Sequence, residues 1–135
     1  MALSANAFLT QVGYTYRRLE LNAKSAQTFY KGSIVCVDAT GLALPAADTA
    51  NFKCLGVYAK NQTTPTVATV AGDVIEVEIG AFWIPYGSAA QTDVGKIFYV
   101  TADDTIALSS TNSVIAGRCI GFKAGFALID FAQRV

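Results

Sequence analysis

The stretch Gly32-Ser-Ile-Val-Cys-Val-Asp-Ala-Thr-Gly-Leu-Ala-Leu-Pro45 returns later in the chain as Gly95-Lys-Ile-Phe-Tyr-Val-Thr-Ala-Asp-Asp-Thr-Ile-Ala-Leu-Ser109, with one extra residue in the middle. Two copies are too few for a solenoid, which buries a continuous core only by stacking several repeats. The repetition therefore predicts two related β motifs, about 32–80 and 95–131, packed around one core.

A second pair of matching segments follows these two stretches. Lys53-Cys-Leu-Gly-Val-Tyr58 aligns with Arg118-Cys-Ile-Gly-Phe-Lys123, so that Gly56 corresponds to Gly121. Each segment is followed by a further strand-like run of residues. We therefore expect the two motifs to be built from equivalent strands.

Short strands separated by turn signals are the main pattern of the chain. In Asp73-Val-Ile-Glu-Val-Glu-Ile79, apolar and charged residues alternate, as in a half-buried strand. Asp38–Gly41 has the composition of a tight turn, and Phe82–Pro85 forms a separate aromatic strand. The predicted fold class is all-β: a compact antiparallel β-barrel or sandwich, β-tulip-like in form.

The first 21 residues differ from the rest and are predicted to form an extended N-terminal arm, followed by one β domain over residues 22–135. Residues 1–13 are small, polar and weakly patterned, which favours ordering on a partner. Tyr14–Leu21 alternates in the way needed to add a strand to an exposed sheet edge. The alternative, that Tyr14–Leu21 is the first strand of the domain, stays open.

The composition favours contact with other protein chains. The 135 residues are 53% hydrophobic and 15% charged, against the roughly 25% charged residues of average domains. One domain of this size cannot bury all of that apolar surface, and closed cyclic oligomers are the usual way to cover it. No apolar run approaches the ~18 residues of a membrane span, and the ten basic residues form no stripe for nucleic acid.

The side chains needed for most enzymatic chemistry are missing. The chain has no histidine, which removes histidine-dependent triads, the usual zinc sites and the commonest general base. Glu76 and Glu78 share one strand face, but a solvated face that blocks edge pairing explains them. Asp103-Asp104 occupies a turn. We expect a non-enzymatic protein without metal or cofactor.

The aromatic run Phe82-Trp83-Ile-Pro-Tyr86 is the candidate contact surface. Successive strand residues face opposite ways, so Phe82 and Trp83 cannot both enter one core. One of the two would then be exposed or buried against a neighbouring subunit, and Phe82, Trp83 and Tyr86 are the predicted subunit-interface residues. Packing in the chain's own core is the alternative. In a small-ligand or carbohydrate-binding β-barrel, which is an alternative function, Trp83 and Tyr86 would form a stacking platform.

These glycine-punctuated strands resemble the small capsid cement, or head decoration, proteins of tailed bacteriophages. The resemblance runs from about residue 30 to the C-terminus. It rests on the order of turn glycines and apolar strands in Gly32–Val35, Asp38–Gly41, Leu55–Val57, Gly72–Gly80, Gly95–Val100 and Ala116–Gly121. It implies a β domain that forms homotrimers on threefold or quasi-threefold positions of the shell and reinforces it without catalysis.

The same resemblance implies the partner and the place of action. The partner would be the major capsid protein, and the site of action the outer capsid surface of the virion, after synthesis in the host bacterial cytoplasm. Nucleic acid and membrane are not expected as partners. A head-fibre base or a tail component is the alternative within the virion.

The N-terminal arm is predicted to be the main capsid-binding element. Phe8 and Leu9 would be its apolar anchors, and Arg17 and Arg18 could pair with acidic groups on the shell. The predicted capsid-binding residues are Phe8, Leu9, Tyr14, Tyr16, Arg17 and Arg18.

The three cysteines, Cys36, Cys54 and Cys119, are predicted to be buried thiols. An odd number without framework spacing argues against a disulfide-stapled domain. Cys54 and Cys119 take corresponding places in the aligned motifs, which suits small apolar residues on equivalent strands.

Reducing agent should therefore leave stability and oligomeric state unchanged. Iodoacetamide should label no cysteine in the native protein and all three after denaturation, as read by intact-mass spectrometry. A native mass two hydrogens short, which indicates a disulfide, would contradict this expectation.

Overall fold

The computed structural model describes residues 11–58, 66–68 and 73–133, with side chains omitted for 11–16 and 66–68. Over these ranges the chain forms eleven strands and one 3-10 turn, Gln91–Asp93, which confirms the all-β prediction. The strands are β1 (Gln11–Asn22), β2 (Thr28–Tyr30), β3 (Ser33–Val37), β4 (Ala43–Pro45), β5 (Lys53–Tyr58), β6 (Thr66–Ala68), β7 (Val74–Pro85), β8 (Ile97–Ala102), β9 (Thr105–Ala107), β10 (Ile115–Lys123) and β11 (Phe126–Asp130). No helix in the described ranges is long and apolar enough to cross a membrane.

Nine of these strands form one antiparallel sheet that curls into a half-barrel. Its main path runs β4-β3-β5-β7-β11-β10-β8-β9, and β1 pairs with β7 beside this path. The other two strands, β2 and β6, form a separate antiparallel ribbon.

Strand β7 joins the two halves of the sheet because it pairs with three other strands. Through Glu78 it is in register with both β1 and β5, and through Phe82 with both β1 and β11. Since a strand has only two edges, β1 follows one edge of β7, while β5 and β11 share the other.

The two halves of the chain occupy mirrored places in the strand order, β4-β3-β5-β7 and β9-β8-β10-β11. Backbone hydrogen bonds repeat in the same way. The Gly32 N–H donates to the Tyr58 carbonyl at 2.7 Å, and the Gly95 N–H donates to the Cys119 carbonyl at 2.7 Å. These bonds make Tyr58 of the first half correspond to Cys119 of the second.

This correspondence corrects the alignment of the two motifs, because it pairs Gly56 with Gly117 instead of Gly121. A Cβ atom on Gly56 would overlap the carbonyl oxygen of Glu78, and a Cβ atom on Gly117 would overlap that of Asp130. Each glycine thus allows its strand to approach the next backbone closely. Gly121 instead follows a register shift in the pairing of β10 with β11.

The cysteines follow the corrected correspondence. Cys54 lies opposite Cys36 across β3 and β5, as Ile115 lies opposite Tyr99 in the second half. Cys54 therefore corresponds to Ile115, and the prediction that it corresponds to Cys119 is wrong. All three are buried thiols. Burial raises the pKa of the Cys119 thiol, which keeps it protonated and unreactive at neutral pH.

Residues 11–21, which the sequence assigns to the arm, belong to strand β1 of the sheet. The register of β1 on β7 extends from Arg17 opposite Ile79 to Asn22 opposite Val74. The alternation of Tyr14–Leu21 is therefore used for pairing within the chain, which is the alternative that the sequence left open. Residues 1–10 lie outside the described residues.

The larger core cluster lies on the inner face of the curled sheet and includes Phe82 and Phe131, whose rings meet edge to face with centroids 6.1 Å apart. A smaller cluster, with Phe29 and Tyr58, lies on the opposite face, because it takes Val35 of β3 while the flanking Ile34 and Cys36 belong to the larger cluster. The alternation predicted for β7 is confirmed at its start, where Val77 is fully buried and Val74 is 53% exposed.

The predicted turn Asp38–Gly41 is also confirmed. The Asp38 carboxylate accepts hydrogen bonds from the Thr40 hydroxyl at 2.6 Å and the Thr40 N–H at 2.9 Å. The hydroxyl bond is the main cause that lowers the pKa of Asp38 to about 2. Gly41 has a φ of 84°, a backbone conformation that favours glycine.

The close approach at Gly117 gives a testable expectation. Gly117→Ala should lower the free energy of unfolding by about 1–3 kcal/mol, because the new methyl group meets rigid backbone and not a movable side chain. The matched control is Gly87→Ala, where a Cβ atom meets nothing within 4 Å. Urea denaturation of both variants measures the difference, and equal midpoints would contradict the explanation.

Candidate functional site

The predicted opposition of Phe82 and Trp83 is observed. Phe82 is 2% exposed and lies in the main core cluster, whereas Trp83 on the other face of β7 is half-buried. The prediction that Phe82 lies at a subunit interface is therefore wrong, because the chain's own core encloses its ring.

Trp83 has neighbours on β10 and β11, of which Lys123 is exposed, Phe126 half-buried and Leu128 buried. Trp83 lies opposite Leu128 in the register of β7 with β11. The Lys123 ammonium is 4.6 Å from the centroid of the Trp83 ring and 5.1 Å from that of Phe126. We call Trp83, Lys123, Phe126 and Leu128 the Trp83 face.

Cation–π attraction orders the Trp83 face. An ammonium held by two aromatic rings is stabilised by about 0.5–1 kcal/mol per contact at an exposed site. The methylene groups of Lys123 can lie along apolar surface while its charge stays hydrated. The result is an amphipathic surface, the kind that aromatic residues supply at protein interfaces.

More apolar surface lies on the neighbouring part of β10. Ile120 and Phe122 are each 40% exposed. Phe122 is opposite Ala127 and Lys123 is opposite Phe126, so the hairpin of β10 and β11 presents aromatic rings on both faces. Large exposed apolar side chains that cluster in this way mark contact surfaces.

Tyr86 does not form a stacking platform with Trp83. Its ring is half-buried and meets Phe98 edge to face, with centroids 5.0 Å apart and planes at 85°. The Trp83 ring already carries Lys123. The platform on which the carbohydrate-binding alternative depends is therefore not formed in this structure.

Arg18 takes part in a charge network within the chain. Its guanidinium lies 3.4 Å from a Glu76 carboxylate oxygen and 3.7 Å from one of Glu78. The two glutamates, which share one face of β7, are thus balanced by a cation from the paired strand. The prediction of a solvated face that blocks edge pairing is therefore wrong: Glu78 is only 8% exposed, and β7 is paired on both edges.

The predicted capsid-binding residues do not form a single surface. Arg17 and Arg18 are both exposed, but as neighbours on β1 they point to opposite faces of the sheet. Tyr14 and Tyr16 lie in β1 with side chains outside the described ones. Phe8 and Leu9 lie outside the described residues altogether.

The sequence analysis missed Lys123, Phe126 and Leu128, because their proximity to Trp83 depends on the pairing of three strands. The only available signal was the alternation of β11 itself, in which Phe126 and Leu128 share a face.

In the part of the chain that the structure describes, no three His, Cys, Asp or Glu residues are placed to hold a metal ion.

Comparison with known proteins gives one structural likeness. No family model matches the chain, and no curated protein matches it. The N base of the head fibre gp8.5 of bacteriophage phi29 superposes with a TM-score of 0.42 and 14% identity, covering 88% of this chain and 98% of that one. A likeness at this level carries no argument about function, so the proposals below rest on the chain's own residues.

The opposite positions of Phe82 and Trp83 give a paired test. Phe82→Ala should cost about 3–5 kcal/mol of unfolding free energy, because it opens a cavity in the core. Trp83→Ala should lower the thermal midpoint less than Phe82→Ala does, because Trp83 is only half-buried, and it should weaken self-association or partner binding, since it removes an outer aromatic side chain. Differential scanning calorimetry and sedimentation velocity measure these effects, and a Trp83→Ala protein that unfolds as easily as Phe82→Ala would contradict the assignment.

Proposed function

We propose that this protein is a non-enzymatic structural component of a phage virion, which binds the outer surface of the assembled capsid and stabilises it. The observation that carries the proposal is the Trp83 face, an aromatic surface on the outside of a β scaffold, which suits a protein that assembles with neighbouring subunits on a shell. The resemblance of the glycine-punctuated strands to capsid cement proteins supplies the class of partner. The major capsid protein is accordingly the proposed partner.

We also propose a homotrimer, in which the Trp83 face contacts the neighbouring subunit. The high share of hydrophobic residues and the exposed Ile120 and Phe122 of β10 support self-association. Phe122 alternates with Lys123 and points away from the Trp83 face, so it belongs to a second apolar patch. In a heterologous contact, a patch on one subunit binds a different patch on the next subunit. Such contacts close into a ring of three when successive subunits are related by a rotation of one third of a turn. Trp83, the single tryptophan of the chain, reports this contact by its fluorescence.

The physical basis of capsid stabilisation is linkage. A protein that binds only the assembled lattice stabilises that lattice. The stabilisation grows with the logarithm of the ratio between the concentration of the free binding protein and the dissociation constant. Three linked copies increase the effective affinity, because the second and third contacts are intramolecular. A chain with zero formal net charge can bind a protein lattice without general attraction to DNA.

The experiment that tests the function is decoration of capsids. The purified protein is incubated with expanded, undecorated capsids, pelleted with them and located by electron cryomicroscopy. Saturable density over the whole head at threefold positions is expected. Density at a few fixed positions would indicate a head-fibre base, and absence of binding to any capsid would contradict the proposal.

The contribution of the first ten residues is tested by deleting residues 2–10, which leaves strand β1 intact. The truncated protein should keep its thermal midpoint and oligomeric state, and we expect it to lose most of its binding to undecorated capsids. Decoration as tight as that of the full-length chain would place the capsid contact elsewhere.

A further inference from the structure

A cleft opens at the junction of the two halves of the chain. Strands β5 and β11 pair with the same edge of β7. The pairing of β5 is at Glu78, and the pairing of β11 begins at Ala81. Between these points the two strands diverge, and the Phe131 N–H donates to the Gly80 carbonyl at 3.0 Å at the apex. The resulting cleft has a volume of about 730 Å³.

The walls of the cleft are apolar and its charges are positive. Phe52, Ile79 and Phe131 line it, and each packs on or within the main core cluster. The charged lining residues are Arg17 of β1 and Lys53 of β5, both exposed. Among the described lining residues there is no carboxylate.

A carboxylate near the cleft is bound by the backbone. Asp48 accepts hydrogen bonds from the N–H groups of Thr111 and Asn112, at 3.0 and 2.9 Å, next to the lining residue Ser113. These contacts hold the loop that follows β9 against the loop that precedes β5. The carboxylate thus fixes the outline of the cleft.

The backbone also fixes both walls. On one side Gly56 packs against the carbonyl group of Glu78, and on the other Gly117 packs against that of Asp130. An apolar cleft of this volume falls within the range of about 300–1,000 Å³ that is typical of binding sites.

We infer that this cleft binds a segment of a partner protein in which a bulky apolar side chain stands next to an acidic one. The apolar side chain would lie against the half-buried Phe52 and Ile79, above the core that contains Phe131, and the carboxylate would meet Arg17 and Lys53. This inference rests on the function proposed above. The partner is then the shell protein, which would contribute an acidic segment. The first ten residues of a second copy contain no Asp or Glu, so they lack the complementary charge.

Charge reversal tests the inference on capsids. The double variant Arg17→Glu/Lys53→Glu should bind undecorated capsids at least about tenfold more weakly than the wild type, because like charges then face each other at the rim. The matched control is Lys96→Glu, an exposed cation outside the cleft that should change affinity less than about twofold. Calorimetry verifies that all proteins remain folded.

A second measurement does not depend on capsids. The peptide acetyl-Asp-Phe-Asp-amide is titrated into the labelled wild-type protein and monitored by amide chemical shifts, beside acetyl-Lys-Phe-Lys-amide. The acidic peptide should shift the amides of cleft residues such as Ser113, whereas the basic peptide and the double variant should give no saturable shift. The shifts should diminish as salt is raised.

The outcomes separate this inference from the proposed function. If the wild type and the double variant decorate capsids equally well, the cleft is not the contact and the inference fails, while the capsid function stands. If the wild type binds no capsid, the capsid function fails, and the peptide titration alone decides the cleft. Shifts that are equal for both peptides, or that lie outside the cleft, would overturn the inference.

Discussion

The close contact of two glycines with neighbouring backbone is the constraint on which the rest of the structure depends. Gly56 lets β5 reach β7, and Gly117 lets β10 reach β11, at corresponding places in the two halves. Because β5 and β11 share one edge of β7, both halves are fixed to a single central strand. The curl of the sheet, the core on its inner face and the cleft at the junction all follow from that sharing.

The strand pairing also separates the surfaces available for different partners. The Trp83 face lies on the outside of β7 and β11, whereas Arg17 and the cleft lie where β5 and β11 diverge. A protein that must contact both its own copies and a shell lattice needs two such surfaces. Their separation supports a role in which self-association and lattice binding occur together.

Several features could be predicted from the sequence because they depend on neighbouring residues only. The alternation in Val74–Ile79 indicates a half-buried strand, and Asp38 with Gly41 indicates a tight turn. Other features could not be predicted. The prediction that Phe82–Pro85 is a separate strand is wrong, because β7 runs from Val74 to Pro85 as one strand, with β1 and β11 paired on either side of it.

The sequence by itself determined the all-β class, the duplication, and the rule that Phe82 and Trp83 must face opposite ways. Only the tertiary structure decided which of the two enters the core, that Gly56 corresponds to Gly117, and that Tyr14–Leu21 pairs within the chain. The physical reason is that alternation fixes the relative orientation of neighbours along one strand. Partners, register and the inner face are set by backbone contacts between strands far apart in the chain.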